Sequence, residues 1–239
     1  MDFSQEDLFD AIDRLVASLL ERAGVDRPPV DALDVAENHI GIPVEVVEPE
    51  EDERGRPRPG SRRHTAGIVL SPHMTPEQQQ TAAANGVART LLPDLLRKLD
   101  IVPGSESKQA AAHFRSLVAG RLLIPTKMFR AAMRECKGDV PALKQVFKTA
   151  TFEACGMRLL DLDQPAVVSV VDDGIVAVRR GNQTQPGKKL VAAEQQCMEE
   201  VMRLELPRRV RSDGWTVRGW FVPNRPFRRV LLHAVPDDV

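Results

Sequence analysis

Apolar side chains recur every three or four residues near the start of the chain, and this spacing predicts an amphipathic helix over residues 4–23. Ser4 is a suitable N-cap for it, and Gly24 can end it. A second helix is expected between Asp31 as its cap and Gly41 as its end, followed by an alternating strand at 42–47. The apolar face of the first helix, which we expect to face the core, comprises Leu8, Ile12, Leu15, Leu19 and Leu20.

Residues 64–92 join a short apolar strand, AGIVLSP, to the best-marked helix start in the sequence. Thr75 is the predicted N-cap, Pro76 takes the first helical position, and Gln78 completes a capping box. We expect this helix to run to residue 92, where Pro93 ends or kinks it because proline has no backbone N–H to continue the hydrogen-bond ladder. The helical face resumes briefly at Leu95, Leu96 and Leu99.

The order of helix, GIPV strand, loop, AGIVLSP strand and capped helix resembles the amino-terminal half of the ImmA/IrrE-like zincin metallopeptidases. In that family the strand leads into a helix that carries the motif HExxH. In this register the motif falls on NGVAR, so Asn85, Gly86 and Arg89 stand where the family has its first histidine, its glutamate and its second histidine. The resemblance covers residues 30–160 and identifies the chain as a degenerate member of the family.

Zinc peptidase chemistry requires the residue types that these three positions lack. Two histidines at i and i+4 hold the zinc, and the adjacent glutamate activates a water molecule. An amide at Asn85 is a poor zinc ligand, Gly86 cannot act as a base, and the permanent cation of Arg89 repels a metal ion. We therefore predict a pseudo-enzyme with no metal and no cofactor.

Arg89 is expected either to be solvated or salt-bridged on the helix surface, or to fill the former metal space beside a carboxylate. For Gly86, close backbone packing and drift after loss of function are the two explanations.

A second segment also departs from the family pattern. The predicted helix at 107–123 ends in LLIP and resembles the family's ExxAN helix, which carries the third metal ligand shortly before LLMP. The aligned turn, 112–116, contains no carboxylate, and the nearest one, Glu106, lies upstream in a loop. His64, His73 and His113 can approach one another in this arrangement, but no pair has the spacing of metal ligands. Whether they form a relocated metal site stays open.

Residues 126–160 continue the resemblance, and the helix pair at 141–160 is also similar to a helix-turn-helix. Its second helix, TFEACGMRL, has few of the Arg, Lys, Asn and Gln side chains that contact base edges. A structural helix pair is therefore favoured over a DNA-reading one.

From about residue 163 the composition becomes β-rich. Two strands meet at Asp173-Gly174, a strong hairpin signal, and the helical segment AAEQQCMEEVMRLEL separates them from two further strands, WTVRGWFV and FRRVLLHAV. We predict an α+β protein with two domains: a zincin-like helical core with a small sheet at 1–162, and a smaller β-rich or α/β domain at 163–239. The second domain resembles the GAF-like sensor domain of some relatives.

Composition and charge narrow the function classes. The chain has 239 residues, 28% of them charged, and a formal net charge of -1, which gives no general attraction to nucleic acid or to a membrane surface. No apolar run reaches the ~20 residues of a membrane-spanning helix, and the acidic start is unlike a signal peptide. Cys136, Cys155 and Cys197 are widely spaced and are expected to be reduced thiols of a cytoplasmic, bacterial protein. The polar loop at 48–63 is expected to be solvated.

Active members of the family cut helix-turn-helix repressors and so derepress stress-response or mobile-element genes. The resemblance, together with the lost ligands, predicts a non-catalytic binding or regulatory protein that engages such a repressor or an active paralogue. An alternative is a nucleic-acid-binding transcriptional regulator that uses the 141–160 helix pair and the Arg-rich strands. A third possibility is a structural protein of a mobile element. The oligomeric state is left open.

Overall fold

The protein has the predicted α+β architecture, with helices around a two-stranded parallel sheet and, later in the chain, a five-stranded antiparallel sheet. The computed structural model describes residues 4–48, 67–104, 106–183 and 185–237. The chain forms two compact units. The first comprises residues 1–132 and 146–151, and the second comprises residues 133–145 and 152–239.

The first unit contains the predicted helices and a short parallel strand pair. Helix α1 (Gln5–Arg22) begins at the capping box of Ser4 and Asp7. Helix α2 (Ala32–Asp34), capped by Asp31, continues as a π-helical segment, Val35–Ile40, and ends at Gly41 with φ 78°. Strand β1 (Val44–Val46) pairs with β2 (Ile68–Leu70). Three helices follow: α3 (Pro76–Lys98), α4 (Lys108–Leu123) and α5 (Thr126–Cys136), the last of which continues into the second unit.

Helix α3 continues through Pro93, so of the two alternatives at this proline the one in which the helix ends at residue 92 is wrong. The helix continues to Lys98 because its last two turns carry side chains that the core buries: Leu95 is 0% exposed and Leu96 is 1% exposed. Burying two leucine side chains contributes about 3–6 kcal/mol, which is enough to offset the ~3 kcal/mol cost of an interior proline.

An ion pair between a buried arginine and a half-buried aspartate connects two helices of the first unit. Asp13 on α1 lies 3.2 Å from Nε of Arg121 on α4, and its carboxylate also accepts a hydrogen bond of 2.7 Å from the hydroxyl of Thr126. The guanidinium of Arg121 stacks over the ring of Phe9 at 4.1 Å. Burial lowers the pKa of Arg121, and the charge of Asp13 opposes this shift. Arg121 therefore holds α4 against α1.

The second unit is built on the five-stranded sheet, whose strand order is β4-β3-β7-β6-β5 with every pair antiparallel. Its helices are α6 (Val140–Val146), α7 (Phe152–Met157), which continues as a 3-10 turn at Arg158–Asp161, and α8 (Ala192–Leu204). Its strands are β3 (Val167–Asp172), β4 (Ile175–Gly181), β5 (Arg208–Ser212), β6 (Trp215–Val222) and β7 (Arg229–Pro236). The hairpin at Asp173-Gly174 is confirmed, with φ angles of 47° and 84°.

The compact units differ from the predicted domain limits of 1–162 and 163–239, because α7 packs on the carboxy-terminal sheet. An ideal Cβ on Gly156 of α7 would lie only 2.9 Å from Cδ1 of Leu231 on β7. Helix α8 covers the opposite face of the sheet, where an ideal Cβ on Gly219 would lie 2.8 Å from Sγ of Cys197. Both faces of the sheet are therefore covered by helices in close contact.

Candidate functional site

A surface cleft of 390 Å³ in the first unit contains all three positions of the degenerate motif. Its lining residues come from strand β2 and the glycine before it, from α3 and from α4. The residues that line it are Gly67, Ile68, Val69, Ala82, Asn85, Gly86, Arg89, Ala112 and Arg115. The structure thus brings the NGVAR segment and the 112–116 turn to one place, although the two are separate in the sequence.

Gly86 is in direct contact with strand β2. An ideal Cβ at this position would lie 2.6 Å from Cδ1 of Ile68, and closer still to Cγ1. Real Cβ atoms essentially never come within 3.0 Å of such neighbours. The helix approaches the strand at the one residue that has no side chain, so close backbone packing explains Gly86. A glutamate here would have to displace the buried Ile68 side chain.

Arg89 reaches from α3 to the beginning of β2. Its Nη2 donates a hydrogen bond of 3.1 Å to the carbonyl oxygen of Gly67. Neither predicted alternative describes this arrangement fully, because the side chain is exposed but is bonded to backbone. Within the described ranges it has no carboxylate partner. The guanidinium therefore ties the helix to the strand while its charge stays at the cleft.

Asn85 lies one helical turn before Arg89 on the same exposed face. Its Nδ2 donates to the carbonyl oxygen of Thr81 at 2.8 Å, so the amide is turned back along its own helix. Such an intrahelical bond is common for a polar residue in a helix. Asn85 thus satisfies its donor locally.

The edge of β2 that faces away from β1 has backbone groups for a ligand. Ile68 N–H donates to the carbonyl of Pro43 and the carbonyl of Leu70 accepts from Val47, so both of these β2 residues point toward β1. Since a strand alternates its hydrogen-bonding direction, the N–H and C=O of Val69 point to the opposite edge. Val69 is 51% exposed and lines the cleft.

The charge of the cleft is positive. Arg89 and Arg115 are its two charged lining residues, and no acidic side chain of the described chain lines it. Arg115 has no hydrogen bond or ion pair with any residue that the structure describes. A guanidinium presents several donors in a plane that matches a carboxylate or phosphate group. The chemistry of this cleft therefore suits an anion and does not suit a metal ion.

The histidines are placed apart from this cleft where the structure describes them. Nε2 of His73 lies 3.8 Å from a carboxylate oxygen of Glu48, and its side chain is 78% exposed. His113 lies on α4 beside the ring of Phe114, with the ring centres 6.3 Å apart. His64 lies outside the described residues. Glu106, the nearest carboxylate to the second motif, accepts a bond from the amide of Gly104 in its own loop. Across the described ranges, no group of three His, Cys, Asp or Glu residues could hold a metal ion.

The helix pair at 141–160 presents few groups for contact with nucleic acid. Helix α7 is six residues long and buries Phe152, Cys155 and Gly156. Its acidic residue, Glu153, is largely buried and accepts hydrogen bonds from Arg225 at 2.7 Å and also from Arg229. Burial raises the pKa of Glu153, but the hydrogen bond from Arg229 and the charges of both arginines lower it further than burial raises it.

Carboxylates pair with some arginines of the β-rich part of the chain, although Arg209 and Arg218 have no ion-pair partner among the described residues. Arg211 pairs with Asp237 at 2.9 Å, and Arg228 pairs with Glu205 at 3.3 Å. Five arginines of this part of the chain are engaged in such pairs: Arg179, Arg211, Arg225, Arg228 and Arg229. Paired guanidinium groups contribute little to a basic surface, so these strands offer less attraction to a phosphate backbone than their sequence indicates.

No helix in the described part of the chain has the length and apolar character needed to cross a bilayer.

Burial raises the pKa of the Cys197 thiol to about 12, so this residue is a protonated core side chain. Cys197 therefore acts in packing, against the carbonyl oxygens of Arg208 and Val217 at 3.8 and 3.9 Å.

Comparisons with known proteins show the fold of this chain. No protein-family model matches it, and no curated protein matches it. Among solved structures, a Mycobacterium tuberculosis transcriptional regulator is similar, with a TM-score of 0.64 and 17% sequence identity. The match covers 97% of this chain and 76% of that protein's chain. At this level of identity, the likeness shows that the two proteins share a fold.

Proposed function

We propose that this protein is a non-catalytic regulator that acts by binding a protein partner through the cleft between β2, α3 and α4. The scaffold is that of a degenerate ImmA/IrrE-like peptidase. The observation that carries the proposal is the contact of Gly86 with Ile68, together with the bond from Arg89 to the Gly67 carbonyl. Packing and a cation occupy the two positions at which a peptidase needs a base and a ligand.

The features that remain in the cleft support binding. The edge of β2 that has no neighbouring strand among the described residues offers the N–H and C=O of Val69, and Arg89 and Arg115 offer two cationic groups beside it. An extended segment that carries a carboxylate side chain would satisfy both kinds of group. A helix-turn-helix repressor or an active paralogous peptidase is the partner class that the family resemblance implies. The shared fold with a transcriptional regulator agrees with a regulatory role.

The first test concerns chemistry. Purified protein should carry no stoichiometric zinc by elemental analysis after gel filtration, and it should leave helix-turn-helix repressors from the native host uncut. About one zinc ion per chain that persists through purification would contradict the proposal.

The second test concerns binding. A partner recovered from the native host by pull-down and identified by mass spectrometry is purified and titrated against three forms of the protein. Arg115→Glu should weaken binding at least about tenfold, because it reverses a cation of the cleft that has no structural partner among the described residues. Arg130→Glu, an exposed arginine of α5 outside the cleft, makes the same charge change and should alter binding less than about twofold. Equal losses in both variants would show that only net charge matters.

A nucleic-acid-binding regulator is the second candidate, since the similar solved structure is a transcriptional regulator. The buried helix α7 and the paired arginines of the second unit give it less support. Duplex DNA binding by the protein alone, with an affinity that falls steeply as salt increases, would favour this candidate over the first.

A further inference from the structure

The second unit contains a cavity of its own, which shares no lining residue with the cleft beside α3. It has a volume of 380 Å³ and lies on the face of the five-stranded sheet opposite α8. On β6 and β7, Gly219 and Leu232 contact α8, so their neighbours Arg218 and His233 point to the other face. Both of these side chains line the cavity.

Two arginines lie directly opposite each other in this cavity. Arg209 of β5 pairs in register with Arg218 of β6, and Arg218 pairs in register with His233 of β7. Directly opposed residues on neighbouring strands have their Cβ atoms about 4.5–5.5 Å apart, and like charges at this distance destabilise a sheet. Such a pair is more stable when an anion lies between the two guanidinium groups.

The protein itself supplies little countercharge. Nη1 of Arg218 donates to the carbonyl oxygen of Lys137 at 3.0 Å, which is a dipole and not a charge. Asp237 is the acidic lining residue, and its two oxygens accept from the hydroxyl of Thr216 at 2.6 Å and from Nε of Arg211 at 2.9 Å. Lys137, Arg209 and Arg218 line the cavity without an ion-pair partner in the described ranges. The charge of Arg209 is one cause of the lowered pKa of Asp237, after its hydrogen bonds with Thr216 and Arg211. Three cations therefore share one carboxylate that two hydrogen bonds already engage.

His233 adds a neutral polar group at the inner wall. Burial, and then the charge of Arg218, lower its pKa to about 4, so the imidazole is uncharged at neutral pH. Arg218 lies beside it on the neighbouring strand, and the other charged residues that line the cavity are Lys137, Arg209 and Asp237. A negative charge placed near Arg218 would offset the effect of the Arg218 charge and so raise the pKa of His233.

Apolar side chains complete the walls, among them Leu159, Leu162 and Val235. The volume lies within the range of about 300–1,000 Å³ that is typical of small-molecule sites. We propose that this cavity binds a small organic anion, with its phosphate or carboxylate group between Arg209 and Arg218 and its apolar body against Leu159 and Leu162. The proposal concerns the second unit and is independent of the partner proposed for the first.

The ligand class is tested with three probes of similar size: phenyl phosphate, benzoate and the neutral benzyl alcohol. Calorimetric titration at constant ionic strength should show saturable one-to-one binding of at least one anion, and no comparable binding of benzyl alcohol. Tighter binding of phenyl phosphate would assign the site to phosphate compounds, and tighter binding of benzoate would assign it to carboxylates. No saturable binding of either anion up to about 10 mM, or equal binding of the alcohol, would overturn the proposal.

Variants on β5 test the location. Arg209→Gln removes an exposed cation of the cavity and should weaken binding of the preferred anion at least about tenfold. Arg208→Gln is the matched control, because Arg208 precedes it on the same strand, points to the other face and donates to the carbonyl of Pro207 at 3.3 Å. It should change the affinity less than about twofold. Equal losses in the two variants would indicate general electrostatic attraction and would refute a defined site.

A spectroscopic readout separates ligand contact from a structural effect. With the anion bound, the pKa of His233 measured by NMR should rise from its value of about 4. Saturating anion that leaves the His233 titration unchanged would place the ligand elsewhere and overturn the assignment.

Discussion

Replacing Gly86 by alanine tests whether helix α3 depends on contact with strand β2. Alanine favours a helix over glycine by about 1 kcal/mol, so at an open site the substitution stabilises the protein. At Gly86 the new Cβ would lie 2.6 Å from Cδ1 of Ile68, which the core buries. Overpacking of this kind costs about 1–3 kcal/mol. With about 2 kcal/mol for crowding, we expect a net loss of about 1 kcal/mol in the free energy of unfolding.

Gly120 on α4 provides the matched control. It is also a helical glycine, but an ideal Cβ there meets nothing within 4 Å. Gly120→Ala should therefore raise the free energy of unfolding by about 1 kcal/mol, the propensity difference alone. Urea unfolding followed by circular dichroism measures both variants under the same conditions, and the expected separation between them is about 2 kcal/mol.

A double-mutant cycle identifies the atoms responsible. Ile68→Ala removes Cγ1 and Cδ1 and should itself cost about 2–5 kcal/mol, because it leaves a cavity. In that background, Gly86→Ala should change sign and become stabilising, since the crowded atoms are absent. If Gly86→Ala instead stabilises the wild type as much as Gly120→Ala does, the contact with β2 does not constrain this position. The explanation of the lost glutamate by packing would then be wrong.

Two further predictions concern carboxylates of the second unit. Glu194 is 0% exposed and pairs with Arg179 at 2.6 Å. Glu194→Ala should therefore lower the free energy of unfolding, measured by urea titration, by about 3–5 kcal/mol. Glu199→Ala, at an exposed site of the same helix, is the control and should change it by less than about 0.5 kcal/mol. Because the pKa of Glu153 is lowered from its ordinary 4.5, its contribution to stability is present above that pH and is lost as the pH falls through the lowered pKa. Thermal unfolding of Glu153→Gln should therefore depend less steeply on pH in the acidic range than that of the wild type, and parallel pH profiles would argue against a charged Glu153 in the folded state.

Local signals in the sequence predicted much of the fold. Ser4, Asp31 and Thr75 cap helices at the expected positions, because capping involves only the next three residues. The turn at Asp173-Gly174 likewise depends on two residues that adopt positive φ. Local signals do not decide the structure where tertiary contacts dominate. At Pro93, burial of the leucines that follow maintains the helix.

Strand β5 was missed, although its signal is present in the sequence. Arg208, Arg209 and Arg211 conceal the alternation, since only Val210 of this strand is fully buried. The Asp213-Gly214 turn that joins it to β6 has φ angles of 50° and 75° and is a hairpin signal of the same type as Asp173-Gly174. The opposed arginines of the second cavity depend on this strand register and could not be found from sequence spacing.

The role of Gly86 could not be decided from the sequence either. Two explanations were open, and the choice required the position of Ile68, which belongs to a different element. Arg89 shows the same difficulty, because its partner is a backbone carbonyl and backbone groups leave no trace in the sequence.

The carboxylate of Glu194 has a consequence for the order of folding. Its oxygens accept hydrogen bonds from the amide of Val191 at the start of α8, from Ser169 of β3 and from Arg179 of β4. The β3–β4 hairpin closes through a two-residue turn and can form early, because short loops close fastest. Before that hairpin forms, α8 cannot bury Glu194 without leaving its negative charge uncompensated. Amide exchange at the start of α8 should therefore follow opening of the hairpin, so that the two elements behave as one cooperative unit.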